Sequence, residues 1–177
     1  MIVIISGRHG TGKSVIGKLL AEKLEIQYYS TGQTFRDLAQ EMNMTLEEFT
    51  KFVEENPEID KQIDNKIVEI AQKGNIIVDS QLSGYFLKSI ADFKILLTCP
   101  LETRVKRMAE RDNTDYEKKL KETKLRETSE LKRFKQLYNI DLNDEEELTL
   151  LYDLVINTET LSIEEILEKI LSAIEKL

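Results

Sequence analysis

Short β-branched apolar runs recur along the chain, and helix-like patterns fill the gaps between them. Ile2 to Ser6, Gln27 to Ser30, Asn75 to Ser80, Phe93 to Thr98 and Asp153 to Asn157 read as strands. The first, third and fourth are continuously apolar, as strands covered on both faces are. Strands that alternate with helices predict an α/β fold, a parallel sheet wrapped by helices on both faces. Three helical segments fall between the second and third strands, near Gln33 to Met42, Leu46 to Glu54 and Pro57 to Lys73. Thr45 and Glu48 have capping-box spacing, and Asn56-Pro57 sets a cap residue before a proline at the first helical position. Ile59, Ile63, Ile67 and Ile70 then form one apolar stripe. Further helices are expected over Leu101 to Arg111, Asp115 to Tyr138 and Ile163 to Leu177, the last opened by a second capping box, Ser162 with Glu165.

Between the first strand and the helix of Val15 to Leu24 stands GRHGTGKS, residues 7–14. Gly7, Gly10 and Gly12 can take backbone conformations closed to residues with a Cβ, so successive N–H groups can turn inward around an anion. Lys13 adds a cation for the outer phosphates and Ser14 a hydroxyl for Mg²⁺, while the next helix points its positive N-terminal end into the same space. The spacing is that of GxxxxGK[ST], in the strand-to-helix context the motif requires. A glycine-rich turn of purely structural use leaves Lys13-Ser14 without a reason. His9, the single histidine, reads as a solvent-facing loop residue.

Composition narrows the setting. At 177 residues the chain is one domain, able to bury roughly two-thirds of its unfolded surface. With 7 Gly and 2 Pro it has little material for flexible linkers. One cysteine, Cys99, excludes an internal disulfide framework, and its apolar neighbours predict a buried, inert thiol in a reducing compartment. Neither a signal segment nor an apolar run of membrane-spanning length is read, so a cytoplasmic protein without membrane contact is expected. A net charge of −8 argues against binding nucleic-acid polymers.

Local charge differs from the average. Five of the seven arginines, Arg104, Arg107, Arg111, Arg126 and Arg133, fall within one thirty-residue stretch. At helical spacing the first three share one face, and Arg126 and Arg133 share another with Ser129 and Glu130 between them. Glu102, Glu110, Glu122, Glu127 and Glu130 are interleaved, so a solvated, salt-bridged helix is the default. The phosphate loop shifts that weighting, because phosphoryl transfer needs cations around its oxygens and a cover that excludes water.

These stretches together make the chain resemble an archaeal-type cytidylate kinase of the nucleoside monophosphate kinase family. The resemblance runs nearly end to end: GRHGTGKS, STGQTFRDLAQEMNMTLEEF, PEIDKQID, IIVDS with LSGY, PLETRVKRMAERD, KLRETSELKRFKQLYNIDL and YDLVINT. It implies a P-loop NTPase-like fold with a five-stranded parallel sheet, a helical acceptor-binding insert at about 31–73 and a helical lid at about 113–139. It implies that ATP with Mg²⁺ phosphorylates CMP or dCMP, by a monomer whose partners are small nucleotides.

Residue by residue, the resemblance gives Gly7, Arg8, His9, Gly10, Thr11, Gly12, Lys13, Ser14 and Val15 to ATP. It gives Ser30, Gly32, Arg36, Gln81, Arg107 and Arg111 to the acceptor monophosphate. Lys13, Arg126, Arg133 and Asp79 become catalytic, Arg126 and Arg133 as lid arginines over the transferring group. Ser14 and Asp79 become the contacts of the metal and its waters. One position departs from the family. Asp79-Ser80-Gln81 stands where an acidic residue, Gly and Arg are usual, and Gln81 lacks an arginine's permanent charge and bidentate fork. Two other readings follow from it: a kinase with another small acceptor, or an ATP-binding regulatory protein. A GTPase lacks its Asn-Lys-x-Asp base-reading motif here. A shikimate-type kinase shares loop and sheet, but the three-helix insert and RETSELKRF fit a nucleotide acceptor better.

Overall fold

β1 (Ile2–Ser6) stands at the centre of a five-stranded, all-parallel sheet in the order β2-β3-β1-β4-β5, with β2 (Gln27–Ser30), β3 (Ile76–Asp79), β4 (Phe93–Thr98) and β5 (Leu154–Asn157). The computed structural model describes residues 1–177, apart from the side chain of residue 145. All five strands lie where the apolar runs predict them, with β3 trimmed by a residue at each end and β5 by one at its start.

Strand alternation sorts the core into two layers. Val3, Ile5, Ile77, Ile95 and Leu97 face Ile16 and Leu20 of α1 (Lys13–Leu24) and Ile166 and Ile170 of α9 (Ile163–Ile174). Ile4, Ile76, Val78 and Leu96 point the other way, onto Ile67 and Ala71 of α4 (Glu58–Ala71), Leu87 and Tyr152. Both capping boxes form, Thr45 with Glu48 at α3 (Leu46–Glu55) and Ser162 with Glu165 at α9.

α2 (Thr31–Glu41), α3 and α4 enclose a separate small core of Phe35, Ala39, Phe49, Val53 and Ile63. The isoleucine stripe of α4 therefore serves two cores, Ile63 in this one and Ile67 under the sheet. Asn56 does not cap α4 as expected: Pro57 is its N-cap, and the Asn56 amide instead donates to the Phe52 carbonyl at the end of α3, 2.7 Å away.

α6 (Leu101–Asp112) and α7 (Tyr116–Tyr138) follow β4. Two short helices lie outside the sequence reading, α5 (Ser83–Phe86) and α8 (Glu145–Leu151). Neither carries an apolar stripe long enough to register, although the Asp144 carboxylate caps α8 by accepting from Glu147 N–H. Among the described residues, no helix is long and apolar enough to cross a membrane.

Strand register brings the polar ends of the strands together. Ile5 pairs with Asp79 and Ser30 with Asp79, so Ser6, Ser30 and Asp79 end side by side at the carboxyl edge of the sheet. Open α/β sheets bind ligands at that edge.

Candidate active site

The phosphate loop is shaped by its glycines and braced by its neighbours. Gly10 has φ +80° and packs so closely that a Cβ would stand 2.8 Å from the Arg104 carbonyl oxygen; Gly12, at φ +98°, opens α1. Arg104 Nη1 donates to the His9 carbonyl (2.7 Å) and Thr158 Oγ1 to the Thr11 carbonyl (3.0 Å). Lys13 Nζ folds back onto the Arg8 carbonyl at 2.9 Å. Burial lowers the Lys13 pKa, against the pull of Asp79 and Glu130. A phosphate would restore what burial removes. Arg8 turns away from the cavity, donating to the Leu142 carbonyl (3.0 Å) and Asn143 Oδ1 (2.9 Å), so its side chain ties the loop to the segment after α7 instead of facing ATP.

Asp79 gathers hydroxyls. Its Oδ2 accepts from Ser14 Oγ (2.7 Å), Tyr28 Oη (2.7 Å) and Ser30 Oγ (3.2 Å). Burial, and then the Asp79 charge, push the Tyr28 phenol up, so it remains a donor. Ser14 and Asp79 are hard oxygen donors in contact at the mouth of the loop. That donor set suits Mg²⁺, which takes one or two protein ligands and completes its shell with water and phosphate oxygens. Among the described residues no cluster of three or more His, Cys, Asp or Glu side chains forms.

Three arginines converge across the cavity from the loop. Arg36 of α2 has its pKa lowered by burial, then by the positive charges of Arg126 and Arg111. Like charges gathered this way make an anion site. Arg36 Nη2 donates to Gln33 Oε1 (2.8 Å), and Arg126 lies 5.3 Å over the Phe35 ring, a cation–π contact. Arg111, at the rim, is held by Asp112 at 2.6 Å. Arg107 lines the same cavity but is tied elsewhere. Its Nη1 donates to Thr158 Oγ1 (3.1 Å) and Cys99 Sγ (3.6 Å), its Nη2 to the Thr158 carbonyl (2.6 Å), which fixes it beside the ends of β4 and β5. Cys99 is correspondingly half-buried, not fully buried as expected. Arg104 leaves the shared face altogether and is buried against Glu127 at 2.6 Å.

Glu130 is the anionic centre of the same cavity. Its Oε1 accepts from Arg126 Nε (2.9 Å), while its Oε2 meets His9 Nε2 (2.7 Å) and accepts from Gln81 Nε2 (2.8 Å). Burial alone would raise this carboxyl; the His9 ring and Arg126, with the hydrogen bonds from His9 and Gln81, hold it well below its ordinary value. His9 is thus no solvent-facing residue: burial, then Arg126, lower its pKa, and the ring rests on Glu130. Gln81 grips Glu130, and its Oε1 is buried without a protein partner among the described residues.

Arg133, expected over the transferring phosphoryl group, has another partner. Its Nε donates to Asp60 Oδ2 of α4 (2.6 Å) and its Nη1 to Ser129 Oγ (2.6 Å), all but sealed from solvent. One turn further along each helix, Tyr138 Oη donates to Asp64 Oδ2 (2.7 Å). Burial raises both aspartates, Asp64 to about 7. The cavity these groups share is about 490 Å³. Gly32, Arg36, Asp60, Ile63, Asp64 and Phe134 of α2, α4 and α7 line it, as do Met108, Thr158, Leu161 and Ile166.

Residues 2–160 match the sequence profile of the cytidylate kinase-like family. The chain belongs to that family. It is 42% identical to the cytidylate kinase of Staphylothermus marinus, over 99% of this chain and 97% of that protein. It is 41% identical to that of Methanocaldococcus jannaschii, over 100% and 99%. Solved structures resemble it in fold alone. An uncharacterized Eubacterium ventriosum protein has TM-score 0.71 at 17% identity, covering 100% of this chain and 99% of that one. Shikimate kinase from Acinetobacter baumannii in complex with shikimate has TM-score 0.64 at 17% identity, covering 99% and 93%.

In this cytidylate kinase-like chain Lys13, Ser14, Val15, Ser30, Gly32, Arg36, Asp79, Gln81, Arg107, Arg111, Arg126 and Arg133 line one cavity, together with His9, Gly10, Thr11 and Gly12. The sequence reading passed over Tyr28, Asp60, Asp64 and Glu130. Asp60 and Asp64 carry a readable signal: four residues apart in PEIDKQID, they share the face of α4 that bears Ile63 and Ile67. Acidic residues on an apolar helix face need a partner or a ligand.

Proposed function

We propose that this chain is a nucleoside monophosphate kinase that transfers the γ-phosphoryl group of ATP to CMP or dCMP, giving CDP or dCDP. The observation that carries the reading is the cavity in which the Lys13–Ser14 loop and Asp79 face Arg36, Arg111 and Arg126. ATP belongs on the loop, its base against Met108, Thr158 and Leu161. The monophosphate belongs on Arg36 and Ser30, inside the insert of residues 31–73, with α7 as the lid of residues 113–139.

An acceptor phosphate oxygen forms the new bond to the γ-phosphorus as the bond from that phosphorus to the β-bridging oxygen breaks, and ADP leaves. The acceptor phosphate, with a second pKa near 6, is already mostly ionised at pH 7, so no general base is needed. What the protein supplies is position and charge. Lys13 exchanges the Arg8 carbonyl for the outer phosphates of the donor. Arg126, already pre-aimed by Phe35, exchanges Glu130 for the oxygens of the moving group. Ser14 and Asp79 would hold Mg²⁺, which neutralises charge on the donor phosphates when bound. The reading takes the chain to act as a monomer, and use of the cell's ATP pool supports a cytoplasmic site of action.

The test is a screen with Mg-ATP over nucleoside monophosphates, with shikimate as the outgroup. CMP and dCMP are expected to turn over fastest. Shikimate turnover would make the fold neighbours the better guide, and ATP binding with no acceptor at all would favour a regulatory protein.

A further inference from the structure

Glu130 is only 6% exposed, yet among the described residues a single permanent cation touches it, Arg126, whose Nε lies 2.9 Å from Oε1. Its other oxygen meets two groups without a fixed charge, His9 Nε2 (2.7 Å) and Gln81 Nε2 (2.8 Å). Transfer asks Arg126 to leave this carboxylate for the oxygens of the moving group. A buried carboxylate stripped of its cation is costly, so the exchange needs a second positive charge. The neighbouring cations are committed elsewhere. Lys13 goes to the donor phosphates and Arg36 to the acceptor, while Arg104, whose Nη1 holds the His9 carbonyl, is paired with Glu127 at 2.6 Å. His9 is the group in contact with Glu130 that can still become charged.

An ionised carboxylate offers only lone pairs, so His9 Nε2 carries a hydrogen toward Glu130, and Nδ1 is the nitrogen left to take a proton. Resting on the kinase reading above, we propose that His9 positions Arg126 for transfer: once a triphosphate fills the loop, the ring takes a proton from solvent and, as an imidazolium, holds Glu130 in the guanidinium's place. Two changes drive the uptake. The donor brings negative charge to the loop that carries His9, and the departing guanidinium removes a positive charge that opposes protonation while leaving Glu130 without its cation. In the unloaded enzyme the balance runs the other way: burial, then Arg126, hold the ring below its ordinary value against the pull of Glu130, with Lys13 a smaller contribution on the side of Arg126. When the products leave, Arg126 returns to Glu130 and the proton to solvent. His9 touches no reacting atom; it acts through Glu130 and Arg126.

The chain has one histidine, so a single imidazole signal in the NMR spectrum reports this ring directly. Its titration is followed over about pH 5 to 9, with and without Mg-ATP and with no acceptor present. The midpoint is expected to rise on binding, and calorimetry in buffers of different ionisation enthalpy to record proton uptake that His9→Gln lacks. Lys13, whose pKa burial also lowers, takes up its share in both proteins, so the difference belongs to His9. His9→Gln keeps a donor for Glu130 that cannot charge, and is expected to lose about fivefold to thirtyfold in kcat with CMP, the surplus of a charged over a neutral contact, at little change in the CMP KM. Because the protonated ring is the competent form, the parent's kcat should fall toward that of the variant as pH rises through the loaded midpoint, while the variant stays flat. Adding Gln81→Arg to His9→Gln places a fixed cation beside Glu130 and should recover most of the loss. A midpoint that Mg-ATP leaves unmoved or lowers would overturn the inference and leave the kinase reading intact. A His9→Gln enzyme with the parent's kcat and pH profile, or a double variant with no recovery, would make His9 a packing contact of the loop and overturn it as well. A parent that binds no Mg-ATP would overturn the kinase reading and this inference with it.

Discussion

The phosphate loop and α7 face each other across one cavity and are fastened by different means. The loop is held by backbone: positive-φ glycines, carbonyls capped by Arg104 and Thr158, and a hydroxyl cluster on Asp79. α7 is held largely by ions and hydroxyls that reach every other wall: Glu127 to α6, Glu130 to His9 and Gln81, Arg126 to Phe35, Arg133 and Tyr138 to α4. Its apolar anchorage is small, Leu131, Phe134 and Tyr138 around Leu82 and Phe86. Backbone geometry cannot change partner, whereas an ion pair can exchange one anion for another at modest net cost. The loop side is therefore built from peptide groups, and the α7 side, proposed as the lid, from charge.

The contrast breaks most severely at Lys13. Lys13→Ala removes the one loop group that can swap a carbonyl for a phosphate, and kcat is expected to fall by about 10³-fold or more, with weakened Mg-ATP binding in calorimetry. Unchanged affinity and turnover would take the loop out of the mechanism.

On the α7 side, Arg126→Ala should cost roughly 10²- to 10³-fold in kcat with little change in either KM, because Glu130 holds this arginine until the transition state needs it. A rise in the acceptor KM at constant kcat would instead make Arg126 a ground-state contact.

Gln81 sharpens the comparison, since it lies on the sheet side yet grips an α7 carboxylate. An arginine there would claim Glu130 and release Arg126 toward phosphate. Gln81→Arg is expected to raise kcat/KM for CMP by roughly tenfold, the surplus of a charged over a neutral contact, with the gain shrinking as salt rises. Steady-state rates at low and high ionic strength decide it; a slower variant would show that Glu130 needs a neutral neighbour.

The smallest effect concerns stability. The folded pKa of Asp64, raised to about 7, lies above its unfolded value, so folding takes up a proton there. The stability tied to that proton is complete below about pH 4 and is lost as pH rises through 7. Asp64→Asn should therefore melt a few degrees above the parent at pH 8 and converge with it near pH 4. A difference independent of pH would mean that the carboxylate is solvated in the closed form.

The five strands, both capping boxes and the phosphate loop were legible in sequence because each depends on neighbours within a few residues: apolar runs, Thr45 with Glu48, Ser162 with Glu165, glycines before Lys13. Chemistry carried by glycine, lysine and serine at fixed spacing is a local property of the chain. Arginine partners are not. Arg104, Arg107 and Arg111 are indistinguishable on a helical wheel, yet one props the loop, one binds the β5 end and one reaches the cavity rim. Arg126 and Arg133 share a face of α7, but α2 approaches the first and α4 the second. His9 and Gln81, 72 residues apart, meet only because β1 pairs with β3 and α7 sets Glu130 between them. Sequence by itself determined where backbone would turn and which side chains carry charge. Tertiary structure decided which charge meets which, because a long flexible side chain takes its partner from whatever element packs within its reach.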